Sequence, residues 1–133
     1  MATYTKFNSF VEALAEKVHN LGSDTLKVAL TNSAPSASNT ILANITEISY
    51  TNLSARTVTV SASSQTSGTY SMVCTDLVLT ASGAVGPFQY IVIYNDTATN
   101  DELIAYYNYG SAVTMANTDT FTLDFGTELF TLA

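Results

Sequence analysis

The stretch Phe88-Gln89-Tyr90-Ile91-Val92-Ile93-Tyr94 decides how this chain folds. It is the densest apolar run in the sequence, and only Gln89 interrupts it. Branched and aromatic side chains of this kind favour a pleated strand. Strand alternation places Phe88, Tyr90, Val92 and Tyr94 on one side and Ile91 and Ile93 on the other. A strand apolar on both sides must be covered on both sides. The core supplies one cover, and a helix, a second sheet or another subunit must supply the other.

Working outward, residues 102–109 read as a second strand of the same kind, with Leu103, Ala105, Tyr107 and Tyr109 opposed to Ile104 and Tyr106. A polar loop, residues 95–101, joins the two. Upstream, Val58, Val60 and Ala62 alternate with hydroxyl residues, and residues 63–68 read as a hairpin loop. Tyr70, Met72 and Cys74 alternate next, then Leu77 and Leu79 take the opposite parity, so a bulge or bend is expected near Thr75-Asp76. Residues 81–87 form a turn. Downstream, Phe121, Leu123 and Phe125 alternate, and residues 129–132 make a short last strand. Nearer the start, Leu26, Val28 and Leu30 share one face of a strand over residues 25–31, and Ile41, Ile45 and Ile48 suggest a short helical turn within residues 40–48. Phe7, Phe10, Val11, Leu14 and Val18 recur at helical spacing, which predicts one amphipathic helix over about residues 5–19, capped by Thr5 or Thr3 and closed by Leu21-Gly22. The expected architecture is mainly β: a single domain, residues 1–133, in which an N-terminal helix precedes an antiparallel, jelly-roll-like β-sandwich over about residues 24–133. A closed barrel is the alternative.

Charged residues make up 11% of the 133 positions, less than half the usual share of ~25%. Serine and threonine stand in their place, and hydroxyls are cheaper than charges to desolvate in an interface. The net charge is −7, with four cations, Lys6, Lys17, Lys27 and Arg56, and none from Thr57 to Ala133. Phosphate recognition needs clustered cations, so no nucleic-acid partner is expected, and an anionic membrane surface is disfavoured for the same reason. An acidic surface suits a basic protein partner, although solubility alone accounts for the same charge. Cys74 is the only cysteine, which excludes an intrachain disulfide. Residues 1–10 hold one Lys and no apolar segment, which predicts synthesis in the cytoplasm, and no run approaches the ~20 apolar residues of a membrane-spanning helix.

No catalytic constellation is legible. His19 is the only histidine, and no Gly-x-Ser-x-Gly elbow occurs. Zinc wants three or four His or Cys ligands, and the chain has one of each. The best candidate for a metal is the loop of residues 95–102, whose Asp96, Asp101, Glu102, Asn95 and Asn100 could offer oxygens to calcium. Asx turns between two strands explain the same letters and are the preferred reading, so no metal, cofactor or enzymatic activity is expected. Tyrosines are concentrated instead. Tyr90, Tyr94, Tyr106, Tyr107 and Tyr109 are the candidate subunit interface, since aromatics anchor interfaces and the lack of Trp weakens a sugar-binding platform.

Several stretches are familiar in combination: Lys6-Phe7-Asn8 with Phe10-Val11; His19-Asn20-Leu21-Gly22; Asp24-Thr25-Leu26-Lys27-Val28-Ala29-Leu30-Thr31-Asn32; Asn39-Thr40-x-Leu42-Ala43-x-Ile45-Thr46-Glu47-Ile48; Gly86-Pro87-Phe88 leading to Tyr94-Asn95-Asp96; Tyr109-Gly110-Ser111-Ala112-Val113-Thr114; and Phe121-Thr122-Leu123-Asp124-Phe125. In this order they resemble a family of capsid decoration, or cement, proteins of tailed bacteriophages. The resemblance spans most of the chain, and residues 50–55 depart from it where the family has a longer Gly-rich loop. It implies a β-sandwich with an N-terminal helix, assembled as a homotrimer on the exterior of the virion, with the major capsid protein as partner and no catalysis. A tail-tube or tail-tip protein is the alternative within a virion, and a carbohydrate-binding module or adhesin the alternative outside it.

Overall fold

The computed structural model describes residues 2–133. Its elements are β1 (Thr3–Lys6), α1 (Ser9–Ala15), β2 (Leu26–Thr31), a single 3-10 turn (Leu42–Asn44), β3 (Thr57–Thr66), β4 (Thr69–Thr75), β5 (Leu77–Thr80), β6 (Val85–Asn95), β7 (Leu103–Met115), β8 (Thr120–Leu123) and β9 (Phe130–Leu132). Seven strands form one antiparallel sheet in the order β1-β7-β6-β2-β3-β4-β9, and β5 pairs with β8 in a second, two-stranded sheet. The protein is mainly β, and the main core lies between the two sheets, giving a β-sandwich-like fold with layers of unequal size. The parity change at Thr75-Asp76 is where the chain leaves the large sheet for the small one. The loop expected over residues 63–68 is only Ser67 and Gly68, whose positive φ values of 51° and 85° make the tight turn that matches the twist of a two-residue hairpin.

Strand β6 is apolar on both sides, as its residues require. Ile91 and Ile93 enter the main core with Leu26, Val28, Leu30, Leu79 and Leu123. Val92 and Tyr94 enter a second cluster on the opposite face, with Phe7, Ala29, Ile45 and Leu103. Each such side chain, once enclosed, contributes about 1.5–3 kcal/mol of apolar burial. The cover over Val92 and Tyr94 is therefore Phe7 and the segment around the 3-10 turn, from the same chain rather than another subunit. Phe88 departs from simple alternation. Register irregularities between Phe88 and Tyr90 turn its ring into the main core, edge-on to Phe121 at 5.2 Å.

The N-terminal helix is shorter than its apolar spacing suggests, seven residues rather than the expected span of 5–19. Residues 3–6 are instead the edge strand β1, paired with β7 from Thr3↔Asn108 to Lys6↔Ala105, so neither Thr3 nor Thr5 caps the helix. Phe7 ends that strand and fills the second cluster, while Phe10 faces the main core. Val11 lies on the outer side, 55% exposed, and Leu14 is half-buried against the core. The helix stops well before Leu21-Gly22. Val18 N–H bonds to the Ala13 carbonyl (2.9 Å) and Lys17 N–H to that of Leu14 (3.4 Å), with Lys17 left-handed at φ 69°. That is a Schellman closure, with lysine in the position where glycine is usual.

One edge of β2 is finished by side chains rather than by a strand. Strand β3 pairs with β2 only at Leu26↔Val58 and Lys27↔Thr57. Beyond that point Arg56 Nη1 donates to the Val28 carbonyl (2.6 Å), and the Arg56 carbonyl accepts from Val28 N–H (3.0 Å). The Tyr50 hydroxyl accepts from Leu30 N–H (2.9 Å) and donates to the Glu47 carboxylate (2.7 Å). The Arg56 guanidinium lies 3.7 Å above the centre of the Tyr50 ring, and burial together with the Glu47 bond raises the phenol's pKa. Tyr50→Phe would leave the Leu30 N–H without a partner inside a buried strand. It is expected to lower stability by about 1–3 kcal/mol, read as a shifted urea midpoint with an unchanged slope.

Candidate interaction surface

The two faces of the large sheet divide the five tyrosines named above. Tyr94 is 3% exposed and belongs to the second cluster, so it presents no surface to a partner. Tyr90 and Tyr106 lie on that same face, half-buried, with ring centres 6.4 Å apart, and Tyr106 also rests against Phe7 at 5.2 Å. Tyr107 and Tyr109 are on the other face, Tyr107 half-buried and Tyr109 45% exposed.

Around Tyr107 and Tyr109 the fold builds an aromatic cleft. Strand β1 brings Tyr4 edge-on to Tyr107 (5.4 Å), Tyr109 meets Phe121 edge-on (5.1 Å), and Tyr107 sits 6.4 Å from Phe125. The cleft holds about 540 Å³ between the β1–β7 edge and the segment of residues 121–129, with Asp124 and Glu128 also lining it. Burial pushes the phenols of Tyr4 and Tyr107 up to about 12, so both stay neutral hydrogen-bonding groups. The alternation of Phe121, Leu123 and Phe125 marks a strand, but β8 ends at Leu123 and Phe125 lies beyond it, while reading Thr3 or Thr5 as the cap of a helix conceals the part played by Tyr4. The alternation Thr3-Tyr4-Thr5-Lys6 was the available signal.

A second cleft of about 620 Å³ is walled by Leu14, Val18, Leu21, Tyr70 and Leu132 and borders a buried polar network. Its centre is Asn95, fully enclosed at the end of β6. The Asn95 amide nitrogen donates to Asp24 Oδ2 (2.7 Å) and to His19 Nδ1 (2.9 Å), and its oxygen accepts from the N–H groups of Thr97 (2.9 Å) and Ala98 (3.2 Å). Those partners fix which way the amide points, and thereby make His19 Nδ1 an acceptor. His19 must then be neutral with its proton on Nε2, an atom that is buried and finds no partner among the described residues.

Burial holds the His19 pKa below its ordinary value, against the opposing pull of Glu102 and Asp24. The unfolded chain therefore takes up the proton first as pH falls. The stability contributed by neutral His19 is full above the unfolded value of about 6.5 and is lost as pH drops below it. The melting temperature is expected to fall between pH 7.5 and pH 5.5, and to fall less in His19→Gln. Equal pH slopes for the two proteins would contradict the assignment.

The polar loop after β6 is an Asx turn, made by the Asn95 oxygen and continued by Asp101 N–H to the Ala98 carbonyl (3.1 Å). Asp96 pairs with Lys27 at 3.4 Å, and burial with the neighbouring charges of Asp96, Glu102 and Glu47 raises the Asp101 carboxyl. Among the described residues no three His, Cys, Asp or Glu side chains gather to hold a metal ion, and no helix is long and apolar enough to cross a membrane. Cys74 is buried in the core, its thiol pushed up to about 11 by burial, as befits an inert packing residue. The chain matches no family model, and no characterised protein or solved structure is significantly similar to it.

Proposed function

We propose that this chain is a structural virion protein of a tailed bacteriophage, bound to the major capsid protein on the outer surface of the head and stabilising the shell. The observation that carries the reading is the ordered set of stretches, from Lys6-Phe7-Asn8 to Phe121-Thr122-Leu123-Asp124-Phe125, that resembles the decoration family. The aromatic cleft beside an open sheet edge supports it, because such a surface gains free energy by being covered. The low charge and abundant hydroxyls agree with a protein that works by lying packed against others. No bond is made or broken in this reading. A protein that binds only the assembled lattice stabilises it by mass action, and the gain grows with each site filled.

The same reading makes the working unit a homotrimer, matched to three-fold positions on the shell. With Tyr94 enclosed, the half-buried Tyr90 and Tyr106 are the tyrosines of the second face left to meet another subunit. The test is to add purified protein to expanded heads that lack it. Saturable binding and a raised temperature of shell disruption are expected, and absence of saturable binding would overturn the reading. Sedimentation equilibrium at micromolar concentration reports the assembly separately, with three times the 14.2 kDa chain mass expected.

A further inference from the structure

We propose that the aromatic cleft seats an arginine side chain from a basic segment of a partner protein. The buried and the exposed lining residues of the cleft are chemically different. Inside, Ile91, Leu123, Phe125 and Leu129 are buried apolar groups that suit the aliphatic stem of a long side chain. The less buried rings of Tyr4, Tyr107, Tyr109 and Phe121 line the cleft with them. Asp124 and Glu128, both exposed, add two carboxylates to the same lining.

Among the described residues no cationic side chain lines the cleft. Lys6, two residues along β1 from Tyr4, is not in its wall, and no Lys or Arg occurs from Thr57 to Ala133, the stretch that builds most of it. The one ion pair among the described residues, Lys27–Asp96, is elsewhere, so neither Asp124 nor Glu128 has a cationic partner among them. One oxygen of Asp124 accepts the Gly126 N–H (2.8 Å), which holds the carboxylate in place and leaves its second oxygen unused. Aromatic rings and unpaired carboxylates in one lining meet the two preferences of a guanidinium. Its plane stacks on an aromatic face while its edge donates paired hydrogen bonds to carboxylates. Lysine offers a more strongly hydrated point charge and fits less well.

A second copy of the chain is a poor donor of that side chain. Its only arginine, Arg56, is half-buried, stacked on Tyr50 and bonded to Val28, and Lys27 is paired with Asp96. The occupant is therefore a different protein. This inference deepens the virion reading by naming the chemistry of the contact, and it rests on that reading only for taking the partner to be the capsid subunit.

The probe is the peptide acetyl-Gly-Arg-Gly-Arg-Gly-amide, titrated at low salt and followed by NMR of the aromatic rings. Shifts at Tyr107, Tyr109 and Phe121 are expected. The lysine analogue should bind more weakly. Glu128→Gln and Tyr109→Ala, both at exposed positions, should each weaken binding by about tenfold, whereas Glu12→Gln, exposed and outside the cleft lining, should change it little. Equal weakening by Glu12→Gln would reduce the effect to attraction by the net charge and overturn the proposal. Shifts induced by a neutral oligosaccharide but not by the peptide would overturn it in favour of a sugar site. Head binding separates the two readings. Heads bound by a protein that ignores the peptide would sink the cleft alone, and peptide bound by a protein that ignores heads would sink the virion reading alone.

Discussion

Phe7→Ala is expected to lower stability by about 3–5 kcal/mol and the melting temperature by roughly 10–20 °C. Phe7 is fully enclosed, and its ring is the largest single piece of the cover over Val92 and Tyr94. The backbone around it is also committed. Phe7 N–H bonds to the Ile104 carbonyl (3.1 Å), and Asn8 N–H to that of Ala37 (2.9 Å). Walls pinned by strand pairing on one side and by these bonds on the other cannot collapse into the space left by a ring, so the cavity cost adds to the lost transfer energy. Domains of this kind have about 5–15 kcal/mol to lose, so the variant would be marginal at 37 °C. Val11→Ala, a change on the exposed side of the same short helix, should stay within about 0.5 kcal/mol of the parent. Urea unfolding of both variants is the measurement. A mild effect at Phe7 would mean that the second face is covered by something else.

Asn95→Leu comes next, at about 2–4 kcal/mol. The replacement keeps the branched skeleton but leaves His19 Nδ1 and the N–H groups of Thr97 and Ala98 unpaired, and takes one donor from the Asp24 carboxylate. Asn95→Asp makes a sharper test. Its carboxylate would face Asp24 and could not donate to His19 Nδ1, so the site would favour a protonated His19 that donates instead. That reverses the sign of the pH effect. The folded pKa of His19 would be raised, and the stability it brings would be greatest below the unfolded value and lost as pH rises through the raised one. Thermal melts at pH 5.5 and pH 7.5 should therefore show Asn95→Asp relatively better at the lower pH, opposite to the parent.

What could be read from the letters follows from the range of the interactions. Strand β2 was legible because Leu26, Val28 and Leu30 repeat at the period that the backbone itself imposes. The start of the chain was misread because Phe7, Phe10 and Leu14 also fit a helical period, and the partner that draws residues 3–6 into a strand lies in β7, far along the sequence. Long-range pairing overrode a local pattern. The edge of β2 finished by Tyr50 and Arg56 leaves no periodic trace, since it rests on two side chains and a stacking contact. Asn95 looks the same in the sequence whether it holds an ion, makes a turn or anchors a buried network, and only its enclosure with His19 and Asp24 distinguishes these. Tyr94 and Tyr106 lie on one face of the neighbouring strands β6 and β7, and Tyr107 on the other. Alternation cannot say what covers each side, and Tyr94 is covered from within.

The strand order has a consequence for how the chain is born. Strand β1 has its only sheet partner in β7, with Thr3 meeting Asn108, and β2 finds its full-length partner in β6, with Leu26 meeting Asn95. A ribosome adds about 5–20 residues per second, so these strands wait on the order of 3–20 seconds before their partners exist. Closing such distant pairs is also slow in free solution, because chain entropy is lost before contact is gained. During that interval Thr-rich β1 carries Lys6 and β2 carries Lys27, charges that discourage nascent chains from pairing edge to edge. The hairpin β3–β4 closes through only two residues and can form long before either. Translation should therefore produce a seeded hairpin first and the completed sheet last, with the N-terminal edge strand among the final pieces to dock.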